Sequence, residues 1–82
     1  MILVDICIPA IDSSFDFMLE ENVPVSQVIM EISEMLAKKM GEKRPPNIEN
    51  FMLCSMDTQK ILEKEKTLYG NGIEDGSSLI LV

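Results

Sequence analysis

The stretch TLYGNGIEDGSSLILV, residues 67–82, decides the fold. Thr67 to Gly70 reads as one helical turn. Asn71-Gly72 and Glu74-Asp75-Gly76 mark bends with positive φ, which glycine adopts at no steric cost. Ser77 to Val82 then reads as a strand, and Leu79, Ile80, Leu81 and Val82 are its most uniformly apolar part. Short apolar runs of this kind favour the middle of a sheet. The spacing therefore predicts that this strand inserts beside the first strand of the chain, parallel to it.

Working outward, residues 2–9, ILVDICIP, alternate. Ile2, Val4, Ile6 and Ile8 share one side; Leu3, Asp5 and Cys7 share the other. Asp5 fixes which side meets water, because an unpaired buried carboxylate is expensive. A polar turn, IDSS at residues 11–14, leads to FDFMLE, where Phe15, Phe17 and Leu19 point inward and Asp16, Met18 and Glu20 outward. Two alternating runs joined by a short turn predict a β-hairpin.

The period then changes. Val25, Val28, Ile29, Ile32, Leu36 and Met40 follow the three-and-four spacing of an amphipathic helix over about residues 24–41. Pro24 suits its first turn, and Asn22 is a candidate cap. Glu20 and Glu21 lie near the positive end of the helix dipole. Lys38, Lys39, Lys43 and Arg44 lie near the negative end, where they compensate the dipole and add solubility. Gly41 and then Pro45-Pro46 stop the helix. ENFMLCSM, residues 49–56, is a third strand; DTQ turns it and KIL begins a short fourth.

One domain, residues 1–82, is expected from the length. The chain is 46% apolar, enough for one core and too little for a deep ligand cavity. Seven basic residues against fourteen acidic ones give a net charge of −7. That balance disfavours nucleic acid and anionic membrane surfaces as partners. No apolar run approaches the ~20 residues of a membrane helix, and the N-terminal run lacks the basic flank and cleavage site of a secretory signal. Two isolated cysteines, Cys7 and Cys54, suit free thiols in a reducing cytoplasm.

The order hairpin, helix, Pro-Pro, strand, short strand, helical turn, final strand resembles the ubiquitin-like β-grasp superfamily. PVSQVIMEI resembles its helix start and RPPNIENFML its Pro-Pro turn into strand three. In the segment opened by Thr67-Leu68, Ile73 is the core plug that the resemblance implies. The implied fold is α+β: a mixed sheet of four to five strands, order 2-1-5-3-4, wrapped on one helix. Conjugating members and sulfur carriers continue beyond the last strand to Gly-Gly, and this sequence has none after Val82. A carboxylate fixed at a strand end cannot reach an activating enzyme, so the resemblance carries fold and not conjugation. PVSQVI and GIEDGSSLILV are most similar to the YukD/EsaB group of type VII (ESX, WXG100) secretion systems. The resemblance implies an accessory or regulatory protein on the cytoplasmic side, acting on a component of the secretion machinery. Two rivals are a ubiquitin-like domain excised from a larger membrane component, and a modifier or sulfur carrier without its tail. Met1 favours a whole protein.

No catalytic residue, cofactor site or metal site is expected. The chain has no His, the commonest general base. In the implied sheet, strand five separates Cys7 from Cys54 by two strand spacings, roughly 9–10 Å, beyond disulfide reach. Glu63, Glu65, Glu74 and Asp75 read as solvated turns, and Tyr69 as a half-buried support of the helical turn. The informative set is apolar and outward. If Phe51, Leu53, Leu79 and Leu81 face the helix, then Met52, Cys54, Ile80 and Val82 face away. Met52, Ile80 and Val82 converge on the open face, where the superfamily's hydrophobic recognition patch lies, with Ile11 of the hairpin turn at its border. A protein partner is expected there, a second copy being one candidate, and Met18 covers part of the face.

Overall fold

The computed structural model describes residues 1–41 and 45–82. Five strands form one mixed sheet: β1 (Ile2–Ile8), β2 (Ser13–Leu19), β3 (Leu53–Ser55), β4 (Lys60–Ile61) and β5 (Ser78–Leu81). Their order is β2-β1-β5-β3-β4, and a single helix, α1 (Val25–Met40), packs across one face. This is the ubiquitin-like β-grasp expected from the sequence.

The final strand occupies the centre. β5 runs parallel to β1, with Ile6 opposite Leu79 and Cys7 opposite Ile80, and antiparallel to β3, with Cys54 opposite Ile80 and Leu53 opposite Leu81. Alternation does the rest. Ile2, Val4, Ile6, Ile8, Phe17, Leu19, Leu53, Leu79 and Leu81 are buried against Val25, Val28, Ile29, Ile32 and Leu36 of α1. Each such side chain contributes about 1.5–3 kcal/mol of burial. Leu68 and Ile73 join the same core, both buried, as the resemblance implied for Ile73.

Four local readings are corrected. The hairpin turn lies earlier than IDSS: Ile8 pairs with Ser13, and the connection is a 3-10 turn over Pro9–Ile11 closed by Asp12 at φ +50°. Proline's fixed φ suits the first position of that turn, and Ser13-Ser14 already belong to β2. Asn22 does not cap the helix. The residue flanking it is Pro24, extended at φ −59° and ψ 147° with no side-chain cap. Instead the carbonyls of Lys66 and Lys64 accept the N–H groups of Val25 (2.8 Å) and Ser26 (3.1 Å), so a distant loop satisfies donors that a local side chain would otherwise take. The third strand is shorter than ENFMLCSM, because Ile48–Asn50 form a 3-10 turn that buries Ile48 against the core. Tyr69 is no support: it is 74% exposed in the 3-10 turn Tyr69–Asn71, while the neighbouring Leu68 takes the core position.

Gly41 ends α1 at φ +58°, as expected. Lys38 and Lys39 lie in its last turn, with the Lys39 ammonium 5.6 Å from the Phe15 ring centroid. Lys43 and Arg44, the remainder of that basic set, lie outside the described residues. Asn71, read from the sequence only as part of a bend, closes the loop after β4. Its Oδ1 accepts the Glu63 N–H (2.9 Å), and its Nδ2 donates to the Glu63 and Thr67 carbonyls (3.1 and 2.9 Å).

Candidate functional site

The sheet has one face against α1 and one face without a covering element among the described residues. In-register partners place the open face in rows. The central row runs Ser14, Cys7, Ile80, Cys54, Ile61 across all five strands. To one side lies Met52 beside Val82, to the other Asp16, Asp5 and Ser78, and beyond them Met18 opposite Leu3.

Of the residues singled out from the sequence, Met52 and Val82 stand exposed, at 42% and 44%, and Ile80 is half-buried between its neighbouring strands. The structure brings these three together. Met52 and Val82 extend the β3–β5 ladder past the strand ends, each donating its backbone N–H to the other's carbonyl. Ile11 sits at the hairpin tip, half-buried and packed against the core.

Sequence reasoning missed the β4 side of the face. Ile61 is 60% exposed and pairs with Cys54, so it stands on the same side as Ile80. With Cys54, Met56 and Ile80 it lines an open depression of about 300 Å³. The signal was present in KIL: if Leu62 is buried, Ile61 must face away. Leu3, Met18, Met52, Met56, Ile61 and Val82 therefore account for most of the large exposed apolar side chains; Met1, Met30 and Tyr69 are the others among the described residues. These six lie on the side of the sheet away from α1, with the Asp5–Asp16 row between Leu3 and Met18 and the other four.

Cys7 and Cys54 are both free and flank Ile80 from either side. Glu63 forms an exposed ion pair with Lys66 (2.7 Å), which holds the Lys66 ammonium above its ordinary value. The Asp75 carboxylate accepts the Leu3 N–H (2.8 Å). Among the described residues no group of three or more His, Cys, Asp or Glu is placed to hold a metal ion, and no helix is long and apolar enough to cross a membrane.

Residues 2–81 match the family described as protein YukD of the WXG100 protein secretion system (Wss). The chain belongs to the YukD family. The type VII resemblance read from PVSQVI and the final segment is thereby borne out. No curated protein matches. Among solved structures, the N-terminal ubiquitin-like domain of the 4931431F19Rik protein is 28% identical, with a TM-score of 0.75 over 99% of this chain and 72% of that one. The EccD5 ubiquitin-like domain from Mycobacterium xenopi is 22% identical, with a TM-score of 0.76 over 99% of this chain and 91% of that one. A chain of the MycP5-free ESX-5 inner membrane complex is 19% identical, with a TM-score of 0.76, and this YukD-family chain covers 20% of its length. The last two likenesses concern the fold.

Proposed function

We propose that residues 1–82 act as a single ubiquitin-like docking unit of a type VII (WXG100) secretion system, on the cytoplasmic side, through the open face of the sheet and without catalysing a reaction. The observation that carries this reading is the gathering of Met52, Val82, Ile61 and Met56 around Ile80 on the face that α1 leaves free, in a member of a family named for WXG100 secretion. A sequence without His supports the non-catalytic part. The role is regulatory or accessory: the domain recognises a machinery component by side-chain contact. Co-purification of the secretion system's membrane components with the tagged protein tests it. Met52→Asp and Ile80→Asp should abolish that co-purification while circular dichroism stays unchanged. Wild-type recovery with either variant contradicts it.

A second reading has its own support. The EccD5 ubiquitin-like domain matches 99% of this chain, and the matched ESX-5 complex chain is far longer than the ubiquitin-like portion. On that reading the domain is the cytoplasmic part of a membrane component. The length of the native gene product separates the two.

A further inference from the structure

The open face carries an uncompensated pair of like charges. Asp5 on β1 lies directly opposite Asp16 on β2, and both are exposed on the side away from α1. The Asp5 N–H donates to the Ser77 carbonyl on the β5 side (3.1 Å). Asp5 and Asp16 are therefore a non-hydrogen-bonded pair, the type whose side chains stand closest. Like charges so placed destabilise an antiparallel pair. Among the described residues the ion pairs are Met1–Glu21 and Lys66–Glu63, so neither aspartate is neutralised.

The surroundings sharpen this. Asp57 accepts the Ser78 N–H (3.2 Å) and Asp75 the Leu3 N–H (2.8 Å), adding carboxylates at the same end of the face. Among the described strand positions only Lys60, in β4, is basic. Lys60 borders the depression at the β4 edge, opposite the β2 edge that carries Asp16. Lys38 and Lys39 belong to α1. The face is thus an apolar surface from Ile61 through Ile80 to Val82, negative along one flank.

We propose that this face takes a cationic amphipathic segment of a protein partner, with apolar side chains on Ile80 and Ile61 and a guanidinium over the Asp5–Asp16 pair. This rests on the docking reading above and adds the partner's chemistry. An arginine fits better than a lysine: its planar fork can serve two carboxylates at once, and its stem lies along apolar surface. Binding would remove the repulsion that the free domain tolerates.

The test is an amide NMR titration of the 82-residue chain with two synthetic helical peptides of roughly 18 residues. They share a leucine face and carry either arginine or glutamate on its flanks. The arginine peptide should shift the signals of Asp5, Asp16, Ile61 and Ile80. Asp5→Asn with Asp16→Asn should weaken it about tenfold, whereas Glu34→Gln with Glu49→Gln, equal in net charge but on the helix side, should change affinity less than about twofold. Affinity should also fall several-fold between about 50 and 300 mM salt. Equal binding of both peptides at Ile80 overturns the charge assignment and leaves the docking reading in place. Shifts elsewhere, or none, overturn the proposal, and the co-purification test then judges the docking reading alone. Concentration-dependent shifts at Ile80 and Ile61 without peptide assign the face to a second copy and also overturn it.

Discussion

Met52 and Val82 exchange two backbone hydrogen bonds, the Val82 N–H reaching the Met52 carbonyl at 2.9 Å. They thereby carry the β3–β5 ladder one residue beyond each strand. The pairing fixes both side chains on the open face and ties residue 82 into the sheet. Everything proposed about contact depends on that geometry, since the same alternation that buries Leu79 and Leu81 presents Ile80 and Val82.

The two sides of β5 should respond differently to truncation. Leu79 is fully buried, so Leu79→Ala should cost about 3 kcal/mol. Ile80→Ala, on the open face, should cost under about 1 kcal/mol. Urea denaturation followed by circular dichroism measures both. Equal losses would mean that Ile80 is a core residue.

Asn71 should be a stability determinant out of proportion to its polarity. Asn71→Asp keeps an acceptor for the Glu63 N–H but sets a carboxylate against the Glu63 and Thr67 carbonyls, which now receive donors from Nδ2. Lost bonds and repulsion predict a destabilisation of about 1–3 kcal/mol. Thermal unfolding should show it as a lower midpoint.

Gly72 is held at φ +79° and ψ 17°, at the end of the turn over Tyr69–Asn71. Space is not the constraint, for nothing lies within 4 Å of a Cβ built there. Gly72→Ala should therefore cost about 1 kcal/mol through the left-handed backbone alone, and Gly72→Asn less, since asparagine tolerates that region. Equal midpoints for all three residues in urea would contradict this.

Stability should also carry a pH signature from Met1 and Glu21. The terminal ammonium lies 3.1 Å from Glu21 Oε1. The bond to Glu21 raises the amine above its ordinary 8.0. The Glu21 carboxyl is held below its ordinary 4.5 by its own backbone N–H and by the ammonium. A raised amine contributes stability below 8.0 that is lost as pH climbs through its folded value. A lowered carboxyl contributes stability above 4.5 that is lost as pH falls through its folded value. The pair thus acts fully between 4.5 and 8.0, weakly because both groups are at the surface. Glu21→Gln should flatten the alkaline limb of a urea-midpoint profile, and an unchanged limb would contradict the assignment.

What the sequence disclosed follows physical range. The strand faces, α1 and the central place of β5 come from periodicity and from the cost of burying Asp5, both local matters. The convergence of Met52, Ile80 and Val82 needed only the topology as well. The helix cap was illegible because its donors are satisfied by Lys64 and Lys66, some 40 residues away. Tyr69 was misread because composition cannot say which of two adjacent large residues, Leu68 or Tyr69, turns inward. Ile61 was missed because β4 is two residues long, so its facing could be read only from the burial of Leu62 beside it.

Secretion of WXG100 substrates by cells whose native gene carries Ile80→Asp tests the central claim most directly, with Glu34→Gln as the control. The open face predicts that Ile80→Asp protein accumulates to wild-type abundance while substrate secretion falls to the level of the deletion strain, and that Glu34→Gln secretes normally. Undiminished secretion with stable Ile80→Asp protein would contradict it.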